Sequence, residues 1–96
     1  AARVEREIAE AGGECLAARG DVSEQAGIDA IVHAAVQRFG PIDILVNCAA
    51  IAPYRPLGAM DAAFVRSILD ANVVGLVMMT QAALPHMPAP GGRIIN

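Results

Sequence analysis

Residues Ile42-Asp43-Ile44-Leu45-Val46-Asn47-Cys48-Ala49-Ala50 form a short apolar run that ends in an asparagine and three small residues. A run of this length, rich in β-branched side chains and preceded by the Gly40-Pro41 break, predicts a strand that is buried on both faces of a parallel sheet. Ligands of open α/β sheets bind beyond the carboxyl ends of the strands, so a site is expected at Asn47 and the small residues after it. The same pattern is compatible with a strand that simply turns into a loop, where Asn47 suits the turn.

The composition of the chain argues against several classes of protein. The 96 residues are 55% hydrophobic with a mean hydropathy of +0.46, which suggests that some apolar faces pack against additional polypeptide. The net charge is −3 and all seven basic residues are arginines, so no nucleic-acid surface is expected. Cys15 and Cys48 lack the spacing of a zinc site or disulfide framework, so no metal is predicted and buried free thiols of a cytoplasmic protein are expected. The longest apolar stretch is shorter than the ~20 residues of a membrane span, so no membrane partner is expected.

The pattern of apolar residues along the chain predicts the order of its elements. Hydrophobic periodicity predicts three helices, at Ala1–Ala11, Glu24–Phe39 and Asp61–Leu84. Shorter apolar segments predict three strands, at Glu14–Arg19, Ile42–Asn47 and Arg93–Asn96. Strands that alternate with helices imply right-handed crossovers, so the predicted fold class is α/β with a doubly wound parallel sheet.

The ends of the predicted helices carry specific signals. Gly12-Gly13 provides a left-handed C-terminal cap for the first helix. Ser23 is the predicted N-cap of the second helix, and Asp61 is that of the third. Residues 51–60 are rich in proline and form a loop, a candidate wall of a substrate pocket. The third helix is apolar on nearly all sides in its second half, which predicts that more than one surface covers it.

Four segments, in this order, resemble the motifs of the short-chain dehydrogenase/reductase family: Gly20-Asp21-Val22, Asp43–Ala50, Asn72-Val73-Val74-Gly75 and Gly92–Asn96. The most specific match is Asn47–Ala50, which corresponds to the family's N-N-A-G, followed by Asn72 in the middle of the next helix. The resemblance covers the whole chain. It implies a partial Rossmann-like sheet of three strands alternating with three helices. Residues 1–96 would then be the central part of one NAD(P)-binding domain, incomplete at both ends.

The resemblance implies a cofactor-binding role for five residues. Asp21 corresponds to the acidic residue that hydrogen-bonds the adenine amino group, and Val22 would supply a backbone amide and an apolar wall to the same ring. Asn47, with the backbone of Ala49 and Ala50, would line the ribose of the adenosine. From the residues alone, Asp21 is more simply an exposed turn residue before an N-cap, and Asn47 is equally a strand-end turn former.

The resemblance implies a catalytic role for Asn72. Its carbonyl, at a kink in the helix, would hold a water that links the family's catalytic Lys to solvent. The residues themselves support a special role, because an amide inside an apolar helix must find hydrogen-bond partners.

The chain departs from the family pattern at two positions and lacks several family motifs. Cys48 replaces the second Asn of N-N-A-G, and Ala50 replaces its Gly, which would restrict the backbone if φ were positive there. The glycine-rich turn, the catalytic Ser and the Y-x-x-x-K pair have no match in these 96 residues, and Tyr54 is not that Tyr because Gly58 stands where the Lys would be. These residues alone are therefore expected to be inactive. His33, among core-facing helix residues, and His86, after a helix end, are predicted to be structural.

The expected function is that of an NAD- or NADP-dependent oxidoreductase of the cytoplasm. The resemblance implies hydride transfer between the nicotinamide and a small carbonyl or alcohol substrate, and a homodimer or homotetramer formed through Asp61–Leu84. One alternative is a non-catalytic nucleotide-binding or scaffold relative of the same fold. Another is a flavodoxin-like response module, in which only Asp21 fits the acidic metal site.

Overall fold

Two parallel strands run through the computed structural model, which describes all residues from Ala1 to Asn96. Strand β1 (Ile44–Val46) pairs with β2 (Arg93–Ile95), and the register places Leu45 opposite Ile94. Two further backbone bonds extend the pairing, from the Arg93 N–H to the Asp43 oxygen (2.9 Å) and from the Asn47 N–H to the Ile95 oxygen (2.8 Å). Parallel pairing confirms the crossover arrangement that the alternation of strands and helices predicts.

The two helices before β1 are helix α1 (Ala2–Glu10) and helix α2 (Gln25–Phe39). Gly12, with φ +84°, ends α1: its N–H donates to the Ala9 oxygen, and the N–H of Gly13 donates to the Ile8 oxygen. This pair of bonds is a Schellman motif, so the glycine cap predicted from the sequence is confirmed. At the start of α2 the prediction is wrong, because the N-cap is Glu24 rather than Ser23 and makes no side-chain cap bond.

A long helical segment, Ala62–His86, joins β1 to β2. It comprises α3 (Ala62–Leu69), a π-helical turn (Asp70–Val74), α4 (Gly75–Ala83) and a final 3₁₀ turn (Leu84–His86). The predicted cap is confirmed, since the Asp61 carboxylate accepts a 2.8 Å hydrogen bond from the Phe64 N–H. The loop before it contains one 3₁₀ turn, Leu57–Ala59.

The core lies between α2, α4 and one face of the sheet. Ile28 and Val32 of α2 pack with Met79 of α4, and Leu45 reaches this cluster from β1. Ile44 and Val46 point to the other face and are 53% and 56% exposed, so the strand is not buried on both faces within this chain. Alternating side chains of a strand point to opposite faces, and these 96 residues supply a helical layer to only one of them.

The structure corrects the prediction of a third strand. Glu14–Arg19 forms no strand, and the sheet contains two strands instead of three. Ladder hydrogen bonds require a neighbouring strand, and neither β1 nor β2 pairs with this segment. The segment instead uses the Ala17 N–H to donate to the Glu5 carboxylate at 2.7 Å.

Several smaller expectations about burial also fail. Cys48 is exposed and Cys15 is half-buried, although both are free thiols as predicted. His33 is exposed on α2 rather than among its core-facing residues.

Ala62–His86 is long and apolar enough to cross a membrane by length and composition. One such helix is weak evidence for a membrane protein, because core helices of soluble proteins pass the same test.

Candidate functional site

Asn47, directly after β1, makes side-chain hydrogen bonds to α4 and to the residue after β2, at the carboxyl end of the sheet. Its Nδ2 donates to the Thr80 hydroxyl of α4 at 3.1 Å and to the Asn96 side-chain oxygen at 2.9 Å, just beyond β2. The Thr80 hydroxyl in turn donates to the Leu76 carbonyl at 2.9 Å. Both amide hydrogens of Asn47 are therefore used within the chain, and its Oδ1 is the group left to accept from a ligand.

Asn72 lies in the π-helical turn and holds the loop that follows β1. Its Oδ1 accepts from the Ile51 N–H at 2.8 Å, and its Nδ2 donates to the Ile51 carbonyl at 2.8 Å. One side chain thus replaces a strand partner for Ile51, satisfying both backbone groups of that residue. An amide inside an apolar helix needs such partners, as the sequence predicts, although the sequence does not identify them.

The helix around Asn72 is distorted, as the resemblance implies. Asp70–Val74 is a π-helical turn, and the Gly75 N–H donates to the Asp70 oxygen five residues earlier. Such single-turn insertions widen a helix and occur frequently at functional sites. The predicted role of the Asn72 carbonyl as a water-holding group stays a prediction.

The turn that carries Asp21 and Val22 is enclosed by glycines of the two core helices. A Cβ on Gly27 of α2 would come within 2.3 Å of the backbone carbonyl oxygen of Asp21. A Cβ on Gly75 of α4 would come within 2.5 Å of the backbone carbonyl oxygen of Val22. Any side chain at either position would push the turn away from the helices. Sequence reasoning missed this function of both glycines, although a glycine inside a helical pattern is itself a signal of close packing.

The Asp21 carboxylate organises the start of this turn. Its Oδ1 accepts a 2.7 Å bond from the Ser23 hydroxyl and a 2.8 Å bond from the Ser23 N–H. These two bonds, the hydroxyl bond first, lower the pKa of Asp21 from its ordinary value of 3.8. The carboxylate is exposed and its Oδ2 makes no hydrogen bond within the chain, so that oxygen is available to accept from an amino group.

A small cavity of about 20 Å³ lies beside the turn, at the carboxyl end of β1. Its walls bring together three of the predicted cofactor-binding residues, Val22, Asn47 and Ala49, with four residues of the long helical segment, Ala71, Gly75, Leu76 and Met79. Ala50, Asp21 and Asn72 do not line it. No residue other than glycine has a positive φ, so the restriction expected from the alanine at Ala50 does not arise.

Residues 51–60 extend from the Ile51 anchor beyond the sheet edge. The Arg55 guanidinium lies 4.1 Å from the centroid of the Phe64 ring on α3. Tyr54 is 91% exposed and Leu57 is 86% exposed. No group of three or more His, Cys, Asp or Glu side chains converges in a way that could hold a metal ion.

Parallel strands joined by a helical crossover, with polar side chains meeting at their carboxyl ends, define a Rossmann-type α/β protein. The family model of the short chain dehydrogenases matches residues 1–96. The chain belongs to the short-chain dehydrogenase/reductase family. This result confirms the resemblance found in the motifs and removes the flavodoxin-like alternative.

Individual relatives agree with this assignment. The chain is 36% identical over 95 residues to the cis-4-hydroxycyclohexanecarboxylate dehydrogenase of Sinomonas cyclohexanicum, covering 97% of the chain and 38% of that enzyme. A blue fluorescent protein from a metagenomic library, in complex with NADPH, aligns with a TM-score of 0.89 at 32% identity over 100% of the chain and 38% of that protein. The NADH-dependent reductase A1-R′, complexed with NAD, aligns with a TM-score of 0.81 at 36% identity over 88% of the chain and 36% of the reductase. The chain thus spans less than two-fifths of the length of these relatives.

Proposed function

We propose that the complete protein is a cytoplasmic oxidoreductase that transfers a hydride between NAD or NADP and a small carbonyl or alcohol substrate. Residues 1–96 would form the central part of its cofactor-binding domain. The observation that carries this proposal is the convergence of Val22, Asn47 and Ala49 around one cavity at the carboxyl end of β1. Two separate motifs of the sequence, Gly20-Asp21-Val22 and Asp43–Ala50, supply these residues, and ligands of α/β sheets bind at this edge.

The residues present fit the adenosine half of a nicotinamide cofactor. Asp21 offers a free Oδ2 to an amino group, and Val22 offers an apolar wall. The small side chain of Ala49 leaves the backbone accessible, and the Oδ1 of Asn47 can accept a hydroxyl proton. When bound, the nicotinamide would supply the hydride chemistry. The residues of this chain bind and orient the other end of the cofactor.

Asn72 would position the substrate-side loop and contribute to proton transfer. Its two hydrogen bonds to Ile51 fix where residues 51–60 leave the sheet. The π-helical turn widens the helix at Asn72, which supports the proposed relay through a water to a Lys outside these residues.

Cofactor titration of the complete protein tests the proposal. We expect saturable binding of NADH or NADPH, measured by nicotinamide fluorescence, and oxidation or reduction of alcohols or ketones followed at 340 nm. Asp21→Asn should weaken cofactor binding about 10-fold or more, because a hydrogen bond to a charged group is lost. Asp29→Asn is the matched control: Asp29 is an exposed carboxylate of α2 that bonds only Gln25.

The possible results separate the alternatives. Binding without turnover of any alcohol or ketone would favour a non-catalytic nucleotide-binding relative. Failure to bind either cofactor, by a protein with a cooperative thermal transition, would contradict both readings.

We further propose that the protein is a homodimer or homotetramer whose subunits meet through the long helical segment. Four residues spaced four apart form an exposed stripe along it: Val65, Leu69, Val73 and Val77, at 40%, 49%, 53% and 54% exposure. A stripe of this kind can pair with its own copy about a two-fold axis. Val73→Glu should shift the sedimentation coefficient toward the monomer, whereas a monomeric wild type at micromolar concentration would contradict the proposal. Fractionation with membranes would indicate instead that the apolar segment meets lipid.

A further inference from the structure

The loop after β1 begins from a fixed point at the edge where a ligand is expected. Ile51 is held through both its N–H and its carbonyl by the Asn72 side chain. Residues 52–57 therefore leave the sheet at a defined place, beside the carboxyl end of β1. A side chain a few residues further along the loop can face a substrate bound at that edge.

Arg55 is the cation of this loop, and it has no anionic partner in the chain. The two ion pairs of the chain are Arg3–Glu7 and Arg38–Glu14, and Arg55 takes part in neither. The Phe64 ring covers one face of its guanidinium at 4.1 Å. Stacking of this kind restricts the side chain while leaving the N–H groups at the edge of the guanidinium plane free.

Two large side chains near Arg55 in the sequence are almost fully exposed. Tyr54 is 91% exposed and Leu57 is 86% exposed, although burial of such side chains is favourable. A loop that carries a guanidinium and two large exposed side chains within four residues suits a molecule with an apolar body and an anionic end. The planar fork of Arg matches the two oxygens of a carboxylate or a phosphate.

We infer that Arg55 binds an anionic group, a carboxylate or a phosphate, at the end of the substrate remote from the reacting carbon. The substrate class is then an apolar alcohol or ketone that carries such a group. This inference rests on the proposed function, since it assigns a specificity to the same site. Arg55 is a specificity-determining residue here and takes no part in the hydride or proton transfer.

The experiment compares Arg55→Gln with wild type in the complete, cofactor-loaded protein. Calorimetry measures the binding of cyclohexanecarboxylate, its neutral carboxamide, and cyclohexyl phosphate. Steady-state kinetics measures kcat/KM for hydroxycyclohexanecarboxylate and for cyclohexanol. Arg38→Gln is the matched control, because Arg38 also stacks on a phenylalanine, at 5.0 Å from the Phe39 ring, but already pairs with Glu14 at 2.8 Å.

We expect Arg55→Gln to weaken binding of the carboxylate or the phosphate about 10- to 100-fold, and to lower kcat/KM for the hydroxy acid by a similar factor. Binding of the carboxamide and turnover of cyclohexanol should change less than about twofold. The stronger of the two anions in wild type identifies which group the site takes. Arg38→Gln should resemble wild type throughout.

Three results would overturn the inference. The first is wild-type binding of the carboxamide as tightly as both anions, and the second is an equal effect of Arg55→Gln on charged and neutral ligands. The third is a loss of NADPH affinity without loss of NADH affinity, which would assign Arg55 to the cofactor phosphate. A failure of the proposed oxidoreductase function appears separately, as absent cofactor binding or turnover, because calorimetry with the anions needs no reaction.

Discussion

The tertiary contacts of residues 1–23 differ in kind from those of residues 24–96. All six buried residues lie in the second region, in α2 and in the long helical segment. The second region also contains the hydrogen bonds of Asn47 and Asn72, which join residues 21 to 49 positions apart. In the first region, α1 has no buried residue. The ion pair that joins this region to the second, between Glu14 and Arg38, is exposed.

The difference shows which features a short stretch of sequence determines by itself. Helix α1 forms and ends at Gly12 with almost no tertiary support, because its hydrogen bonds and its cap are local. A strand and a binding site need hydrogen-bonding partners that are distant in the sequence. Residues 24–96 supply such partners to β1, but no strand of the chain pairs with residues 14–19.

The largest expected effect removes the pair of long-range hydrogen bonds between Asn72 and Ile51 in the second region. Asn72→Leu, which nearly preserves volume, leaves the N–H and carbonyl of Ile51 without their partner. Turnover should fall by about 10²–10⁴, the range for losing a positioned proton-transfer element, while the cofactor dissociation constant changes little. The measurement is steady-state kinetics beside a cofactor titration on the purified complete protein.

Gln81→Leu is the control for Asn72→Leu, because it replaces an exposed amide of α4 that makes no hydrogen bond. It should leave kcat near wild type. Near-normal kcat for Asn72→Leu would show that the residue only packs within the helix. An equal loss of cofactor affinity, with the protein still folded, would place Asn72 in the cofactor site.

The sequence was sufficient for the features whose causes lie within a few residues. The three helical regions, the Gly12 and Asp61 caps and the strand after Gly40-Pro41 follow from periodicity and local hydrogen bonding. It failed at Ser23, whose hydroxyl donates to the Asp21 carboxylate instead of capping α2. Capping would require the hydroxyl oxygen to accept a backbone N–H of α2, and a linear pattern does not show whether Ser23 or Glu24 takes the N-cap position.

The candidate site was predicted only in part for the same reason. Asn47 and Asn72 were identified as special, because an amide near an apolar strand or helix needs partners. Their partners, Thr80, Asn96 and the backbone of Ile51, become known only from the fold. The close approach of Gly27 and Gly75 to the Asp21–Val22 turn depends on how two helices cross, which no local pattern specifies.

The next largest effect breaks the contact between the two regions at Gly75. Gly75→Ala places a Cβ within 2.5 Å of the Val22 carbonyl oxygen, a backbone atom that can move only with its turn. Helix propensity alone would favour alanine by about 1 kcal/mol. We expect a net loss of about 1–3 kcal/mol in the free energy of unfolding, typical of overpacking, together with weaker cofactor binding.

Urea unfolding of the complete protein measures this loss. Gly58→Ala is the control, since a Cβ there meets nothing within 4 Å and φ is not positive. Its stability should stay within about 0.5 kcal/mol of wild type, as for most surface substitutions. A Gly75→Ala variant as stable as Gly58→Ala would mean that residues 1–23 move to accommodate the added methyl group with no loss in the free energy of unfolding. The contact between the two regions at Gly75 would then not be rigid.

The smallest expected effect concerns the first region alone, at the Asp21 carboxylate. The Ser23 hydroxyl, and after it the Ser23 N–H, lower the pKa of Asp21 from its ordinary value of 3.8. A lowered pKa in the folded state means that the contribution of this turn to stability is fully present above about pH 4. That contribution is lost as pH falls through the folded value. Carbon NMR titration of the Asp21 carboxyl should therefore give a midpoint below 3.8 in wild type, and Ser23→Ala should raise that midpoint toward 3.8.

Ser67→Ala removes a serine hydroxyl that bonds the Phe64 carbonyl in α3, and it should leave the midpoint unchanged. An Asp21 that titrates at 3.8 in wild type would show that the Asp21–Ser23 bonds do not persist in solution, and that only its contact with Gly27 orders this part of the turn.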